Sequence, residues 1–134
     1  MLLSNFNGAK KVLVVEDDVA IADLLATVIE SEGYHTVPAY DGEAAVRLAR
    51  HECPDLITLD LALPKKDGRD VLRALQTDEI TSCIPVIVVS AYTNRLQPED
   101  RRHVVFVVNK PFDIDDLLSK LRAAMQDSKG SKRD

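Results

Sequence analysis

The sequence has no tryptophan, only three phenylalanines and three tyrosines, two cysteines and five glycines in 134 residues. Cys53 and Cys83 stand far apart, with no C-x-x-C pair and no histidine at ligand spacing, which excludes a disulfide-stapled scaffold and a structural zinc site. They are expected to be reduced core thiols in a reducing compartment. No apolar run approaches the roughly 18 residues that a membrane span needs, and the first ten residues lack the charged start and long apolar stretch of a secretory signal. An excess of positive charge is missing too. The 17 Lys and Arg against 22 Asp and Glu give a formal charge of -5, which repels phosphate backbones and excludes non-specific nucleic-acid binding. What these absences leave is a soluble, cytoplasmic chain of one domain, in a size range that buries roughly 65 to 70% of the unfolded surface without staples.

What is present is a regular alternation. Lys11 to Val15 (KVLVV) is a short β-branched run that suits a strand buried on both faces, and it stops at Glu16, Asp17 and Asp18. Ile21, Leu24, Leu25, Val28 and Ile29 then repeat at helical spacing, with Gly33 as a stop. His35 to Val37 is a short strand, and Asp41-Gly42 turns into a helix through Arg50 with Ala45, Val46, Leu48 and Ala49 on its inner face. Leu56 to Leu59 (LITL) is a strand ending at Asp60, Pro64 to Gly68 a loop, and Asp70 to Thr77 a helix. Pro85 to Val89 (PVIVV) is a strand ending at Ser90, and Val104 to Val108 (VVFVV) another, ending at Asn109-Lys110-Pro111. Between them, Tyr92 to Arg102 admits one short helix at best. Ile114, Leu117, Leu118, Leu121 and Met125 mark a closing helix capped by Asp113, and residues 127–134 form a polar tail expected to be disordered. Residues 1–10 are a leader and 11–126 the domain. His35, His51 and His103 fall at element edges, away from the acids, and are read as surface residues.

Wholly apolar strands alternating with amphipathic helices imply an α/β fold: a parallel sheet, helices on both faces, right-handed crossovers, and ligands beyond the carboxyl ends of the strands. Glu16, Asp17, Asp60, Ser90 and Lys110 therefore converge on one rim. Acids at strand ends are common because loops are wet, and any one of these alone would be a solvated turn residue; the set is what carries meaning. Three uncompensated carboxylates would raise one another's pKa values. One lysine leaves a charge of minus two, the charge of one Mg²⁺, an ion that takes oxygen ligands. An Mg²⁺, a lysine, a hydroxyl and a carboxylate suit phosphoryl transfer. Asp60, alone on a central strand, is the candidate nucleophile, and Glu16 with Asp17 the pair suited to the metal.

The motifs VLVVEDD, LITLDLALPKKDG, PVIVVSA and VVNKPF resemble those of the receiver domain of two-component response regulators, from Lys11 to about Gln126. The resemblance implies a flavodoxin-like doubly wound (βα)5 sandwich, with a five-stranded parallel sheet of order 2-1-3-4-5. It makes Asp60 the phosphoacceptor, Asp17 a direct Mg²⁺ ligand, Glu16 a ligand through water and Ala62 a donor of its backbone carbonyl. Ser90 becomes the switch hydroxyl and Lys110 the partner of a phosphoryl oxygen, and Lys110-Pro111 resembles the family's cis peptide. The implied partners are a sensor histidine kinase or histidine phosphotransfer protein and a downstream protein target. No nucleic acid or membrane is contacted directly, and the chain is a monomer or weak homodimer through helix four, strand five and helix five. It is a phosphoacceptor that assists its own phosphorylation and slow autodephosphorylation, not an enzyme. With no DNA-binding domain after the last helix, a single-domain regulator or relay shuttle is expected.

Three departures from the family pattern stand out. The aromatic switch position, three before the lysine, holds Val107, and Phe106 before it belongs to the opposite face of the strand. The stretch from Ser90 to Lys110 is short and lacks a Gly-Ala turn, so helix four is expected to be short, tilted or partly melted. Ala62 and Tyr92 line the route of the hydrolytic water, and Tyr92 is expected to shield the phosphoryl group. Rival readings fare less well. A haloacid-dehalogenase-type phosphatase needs a second acid where Ala62 stands. A flavin or dinucleotide binder wants a glycine-rich first loop, and EDDVA is acidic and glycine-free. The alternative that survives is a receiver-like interaction module that works without phosphorylation; its usual mark, a missing acid, hydroxyl or lysine, is not found.

Overall fold

Short apolar runs bounded by acids and prolines become strands because they are too short and too β-branched to pack as helices. The computed structural model describes residues 9–133. The elements are β1 (Lys11–Val15), α1 (Val19–Glu30), β2 (His35–Ala39), α2 (Gly42–Glu52), β3 (Leu56–Leu59), α3 (Gly68–Thr77), β4 (Val86–Ser90), a 3-10 turn (Thr93–Arg95), α4 (Pro98–Arg101), β5 (Phe106–Asn109) and α5 (Ile114–Arg133). The five strands form one parallel sheet of order β2-β1-β3-β4-β5, as the resemblance implies. No helix among the described residues is long and apolar enough to cross a membrane.

Alternation along the strands divides the core. Leu13, Val15, Ile57, Leu59, Val86 and Val88 face α2 and α3, where they meet Ala45, Ala49, Val71, Leu72 and Leu75. Val12, Val14, Leu56, Ile87, Val89 and Val108 face α1 and α5, against Leu25, Ile29, Leu117 and Leu121. The strand order reverses between β1 and β3, so the loops that follow them part and leave a crevice at their carboxyl ends. Aspartates start the helices: Asp18, Asp41, Asp67 and Asp113 accept backbone N–H groups from Ile21, Ala44, Arg69 and Asp115. Each such cap contributes about 1 kcal/mol.

Several local expectations are corrected. Cys53 and Cys83 are free but exposed, not core. Both lie at element ends, Cys53 as the left-handed cap of α2 and Cys83 in the turn before β4, where the sheet no longer covers them. Leu24 is exposed while Ala22 is buried, so the inner stripe of α1 is rotated from the one expected. β2 runs on to Ala39 through Pro38, which an edge strand tolerates. β5 begins at Phe106, two residues late. The helical backbone of α5 passes Gln126 and reaches Arg133, where a disordered tail is expected; the stretch holds no proline, and Gly130 costs only about 1 kcal/mol relative to alanine. Residues 1–8 of the expected leader, and Asp134, lie outside the described residues. The three histidines are exposed, as expected.

Between β4 and β5 lie only the 3-10 turn and the single-turn α4, in keeping with the expected short helix four. Asp100 ties this segment down. Its buried carboxylate accepts from Arg73 of α3 at 3.1 and 3.3 Å and from the Gln97 N–H at 3.0 Å. Burial pushes the Asp100 carboxyl up, but the Gln97 N–H and the Arg73 guanidinium outweigh it, and its pKa lies below the usual aspartate value. A carboxyl depressed in the folded state stabilises above its unfolded pKa, and that contribution is lost as the pH falls through the folded value. Asp100→Asn is expected to cost about 1 to 2 kcal/mol at pH 7, discounted because Arg73 is half exposed. The cost shrinks at acid pH, below about 4. Urea unfolding of both proteins at pH 7 and pH 3 checks this; equal differences at the two pH values would contradict it.

Candidate phosphoacceptor site

Glu16, Asp60 and Lys110 sit one step beyond their strands, held there by continuation of the ladders, and Ser90 is the last residue of β4. The Glu16 N–H donates to the Ala39 carbonyl at 3.0 Å, that of Asp60 to Val15 at 3.1 Å, and that of Lys110 to Ser90 at 3.1 Å. Backbone pairing thus carries Glu16, Asp60, Ser90 and Lys110 to the crevice, and Asp17 follows Glu16 to its mouth.

Lys110 bridges two of the acids. Its Nζ lies 2.6 Å from Glu16 Oε1 and 2.9 Å from Asp60 Oδ2. The remaining carboxylate oxygens accept backbone N–H groups, Glu16 Oε2 from Asp18 at 3.1 Å and Asp60 Oδ1 from Ala62 at 3.2 Å. Burial pushes the Glu16 carboxyl up, the Lys110 and Asp18 bonds pull against it, and the Asp60 charge adds to the rise; the net displacement is upward. Burial draws the Lys110 ammonium down, but the bonds to Glu16 and Asp60 prevail and raise its pKa above the usual lysine value. Lys110 therefore stays charged across the physiological range.

One carboxylate oxygen each from Glu16, Asp17 and Asp60 lies within 4.8 Å of the others. Glu16 and Asp60 are buried, while Asp17 is exposed and makes no hydrogen bond or ion pair among the described residues. Three hard oxygen donors against one ammonium leave an uncompensated charge of minus two, a donor set that fits Mg²⁺. Ala62 adjoins them in the turn after Asp60.

Ser90 is fully buried, and its Oγ accepts the Tyr92 N–H at 3.1 Å. Tyr92 is exposed, with the Arg95 guanidinium 4.6 Å from its ring centroid. Val107 packs, partly buried, toward α2 and α3, and Phe106 packs on the opposite face with Phe112, as alternation predicts. The Lys110-Pro111 peptide is cis. An apolar hollow of about 460 Å³ opens beside Lys110, lined by Ile21, Leu24, Ala91, Pro111, Phe112 and Ile114.

Two contributions escape a reading of the sequence. Asp18, third in the acid run, is spent on capping α1, which its position before an apolar helical stripe could have signalled. Gly68 brings the start of α3 against the turn that carries Asp60. A Cβ there would lie 2.4 Å from Leu61 Cα and 2.6 Å from the Asp60 carbonyl oxygen. Gly68→Ala is expected to lose about 1 to 3 kcal/mol, because backbone must give way. Chemical denaturation measures the loss, and a wild-type midpoint would show that the turn yields freely.

The fold and rim define a doubly wound α/β protein with an acidic, lysine-bridged crevice at its switch point. The model of the response regulator receiver domain matches residues 12–122, and the chain belongs to that family, the receiver domains of two-component signalling. It is 38% identical over 119 residues to the DNA-binding dual master transcriptional regulator RpaA of Synechocystis, covering 87% of this chain and 49% of that one. The chain spans about half the length of the curated relatives it matches. Among solved structures, the receiver domain of Francisella response regulator 1452 superposes with a TM-score of 0.79 at 32% identity, covering 89% of this chain and 98% of that one. The receiver domain of the Pseudomonas aeruginosa sensor histidine kinase PA1611, solved with a magnesium ion in its active-site cleft, gives 0.77 at 28% identity, covering 89% and 99%.

Proposed function

We propose that the chain accepts a phosphoryl group on Asp60 from a phosphohistidine of a sensor histidine kinase or histidine phosphotransfer protein, and that this switches a protein-binding surface. The observation that carries the reading is the Lys110 ammonium bridging Asp60 and Glu16 at the rim, beside an Asp17 that has no partner among the described residues. Lys110 holds and aims one Asp60 carboxylate oxygen. That oxygen attacks phosphorus; as the P–O bond forms the P–N bond breaks, and its electron pair leaves with the imidazole. Lys110 then shifts its attraction from the carboxylate to a phosphoryl oxygen, while the buried Ser90 hydroxyl donates to another. Asp17, Asp60 and the Ala62 carbonyl, with Glu16 through water, would hold Mg²⁺, whose positive charge supplies what one lysine cannot for the transferring oxygens.

The apolar hollow beside Lys110 offers room for the donor's surface. The output surface is the region of α4, β5 and α5, through which a weak homodimer would also form. The chain acts in the cytoplasm as a phosphoacceptor that assists its own phosphorylation, with slow autodephosphorylation, and not as a classical enzyme. Tyr92, two residues beyond Ser90, slows hydrolysis.

Intact-mass spectrometry after incubation with acetyl phosphate tests this. One phosphoryl group is expected on the wild type with Mg²⁺, none with chelator and none on Asp60→Asn, and uptake by Lys110→Ala should be slower by about 100-fold. Tyr92→Ala should shorten the phosphoryl lifetime in the same assay. A folded wild type that gains no mass from acetyl phosphate or from a phosphohistidine donor would instead mark a receiver-like module that binds partners without phosphorylation.

A further inference from the structure

With Val107 at the switch position there is no ring to swing inward, yet the rim is still tied to α4 by a continuous set of polar contacts. Asn109 is the register partner of Ser90 on the last rung between β4 and β5, and the Lys110 N–H donates to the Ser90 carbonyl beside it. Across this rung the Thr93 hydroxyl donates to the Asn109 side-chain oxygen. The Tyr92 N–H, one residue back, donates to the Ser90 Oγ. The Thr93 carbonyl accepts from the Arg101 guanidinium of α4 at 3.3 Å, and the far side of α4 is clamped to α3 through Asp100 and Arg73. Thr93 is thus bonded both to the strand end that carries Lys110 and to the short helix of the output surface.

We propose that Thr93 and Asn109 form a latch holding the segment from Ala91 to His103 in its unphosphorylated position; this rests on the phosphoacceptor reading of Asp60. For the Ser90 hydroxyl to donate to a phosphoryl oxygen on Asp60 it must turn toward β3. The Tyr92 N–H then follows its acceptor or loses it. Asn109 cannot follow, because the β-ladder fixes it opposite Ser90, so the displacement falls on the Thr93–Asn109 bond. Both partners are near water, and opening the latch costs no more than one side-chain hydrogen bond. It biases the equilibrium toward the resting conformer without forbidding the switched one. Thr93 and Asn109 are positioning residues: neither touches the transferring group, and removing either favours the switched conformer before any phosphoryl group arrives.

Three variants test the latch: Thr93→Val deletes the hydroxyl and keeps the branched shape, Asn109→Ala deletes the acceptor, and Thr93→Ser retains the bond. Amide hydrogen exchange is followed over residues 91–103 without phosphoryl donor, and the rate of phosphoryl uptake is measured with acetyl phosphate and Mg²⁺. In Thr93→Val and Asn109→Ala, exchange over 91–103 should rise while the strands stay protected, and uptake should quicken by about fivefold. The double variant should add nothing further, and Thr93→Ser should match the wild type. A bond that merely stabilised the fold would slow uptake or loosen the strands on removal. Wild-type exchange in Thr93→Val, or uptake unchanged or slower, overturns the latch. If the wild type takes up no phosphoryl group, the phosphoacceptor reading falls, and exchange alone decides: a rise confined to 91–103 keeps the latch, and no rise removes it.

Discussion

A parallel sheet delivers the carboxyl ends of its strands to one rim, and here it delivers three carboxylates within 4.8 Å of one another. Gathering them has a cost: burial, the largest cause, and then the Asp60 charge displace the Glu16 pKa upward. The Lys110 ammonium, at 2.6 and 2.9 Å from two of them, meets part of it, and burial sharpens the contact because the surroundings screen it poorly. Much else in the fold serves this contact. The backbone bond from Asp60 to Val15 and that from Lys110 to Ser90 hold the opposing charges one residue past their strands. Gly68 lets α3 close on the Asp60 turn.

The contact also leaves something over. Two carboxylates are partly neutralised by one ammonium, while Asp17 stays exposed and unpartnered among the described residues. Among the described residues it takes no cap, no lysine and no backbone N–H, yet it stands beside two acids that are bonded to Lys110 and to backbone N–H groups. Asp18, its neighbour, shows the contrast. It has the same chemistry, but the first turn of α1 consumes it as a cap. Asp41, Asp67 and Asp113 are consumed in the same way, so the acidity of the chain divides by neighbour and not by residue type.

That division explains how much was legible in the sequence. The strands were, because buried parallel strands read as unbroken apolar runs, and the residue ending each run is the rim residue. The order of the sheet came from the resemblance, since periodicity does not say which strand lies beside which. The local misses have local causes. Cys53 and Cys83 are apolar enough for a core, but they fall where helix and turn leave the sheet. Leu24 fits the same helical spacing, yet the buried stripe of α1 runs through Ala22, Leu25 and Ile29 and leaves it exposed. The links from Thr93 to Asn109 and from Arg73 to Asp100 join residues distant in the chain through side chains that look like ordinary surface polarity, and nothing in their spacing announces them.

These links lie in a stretch where apolar burial is thin. Strands β1, β3 and β4 are buried throughout apart from the first residue of β1, and they hold the rim residues still. From Ala91 to His103 only Leu96 and Asp100 are buried, and Leu96 is the sole side chain there that joins the core. A segment held by one apolar anchor and a few polar bonds can change position at the cost of those bonds, whereas the sheet beneath it cannot. The placement matters because this segment begins at Ser90, the hydroxyl nearest the end of the rigid part, and finishes at β5. Exchange of hydrogen-bond partners at Ser90 is therefore a small event at the boundary between a fixed layer and a movable one. Because the polar ties are few and individually weak, an event of that size is enough to decide which position the movable layer takes.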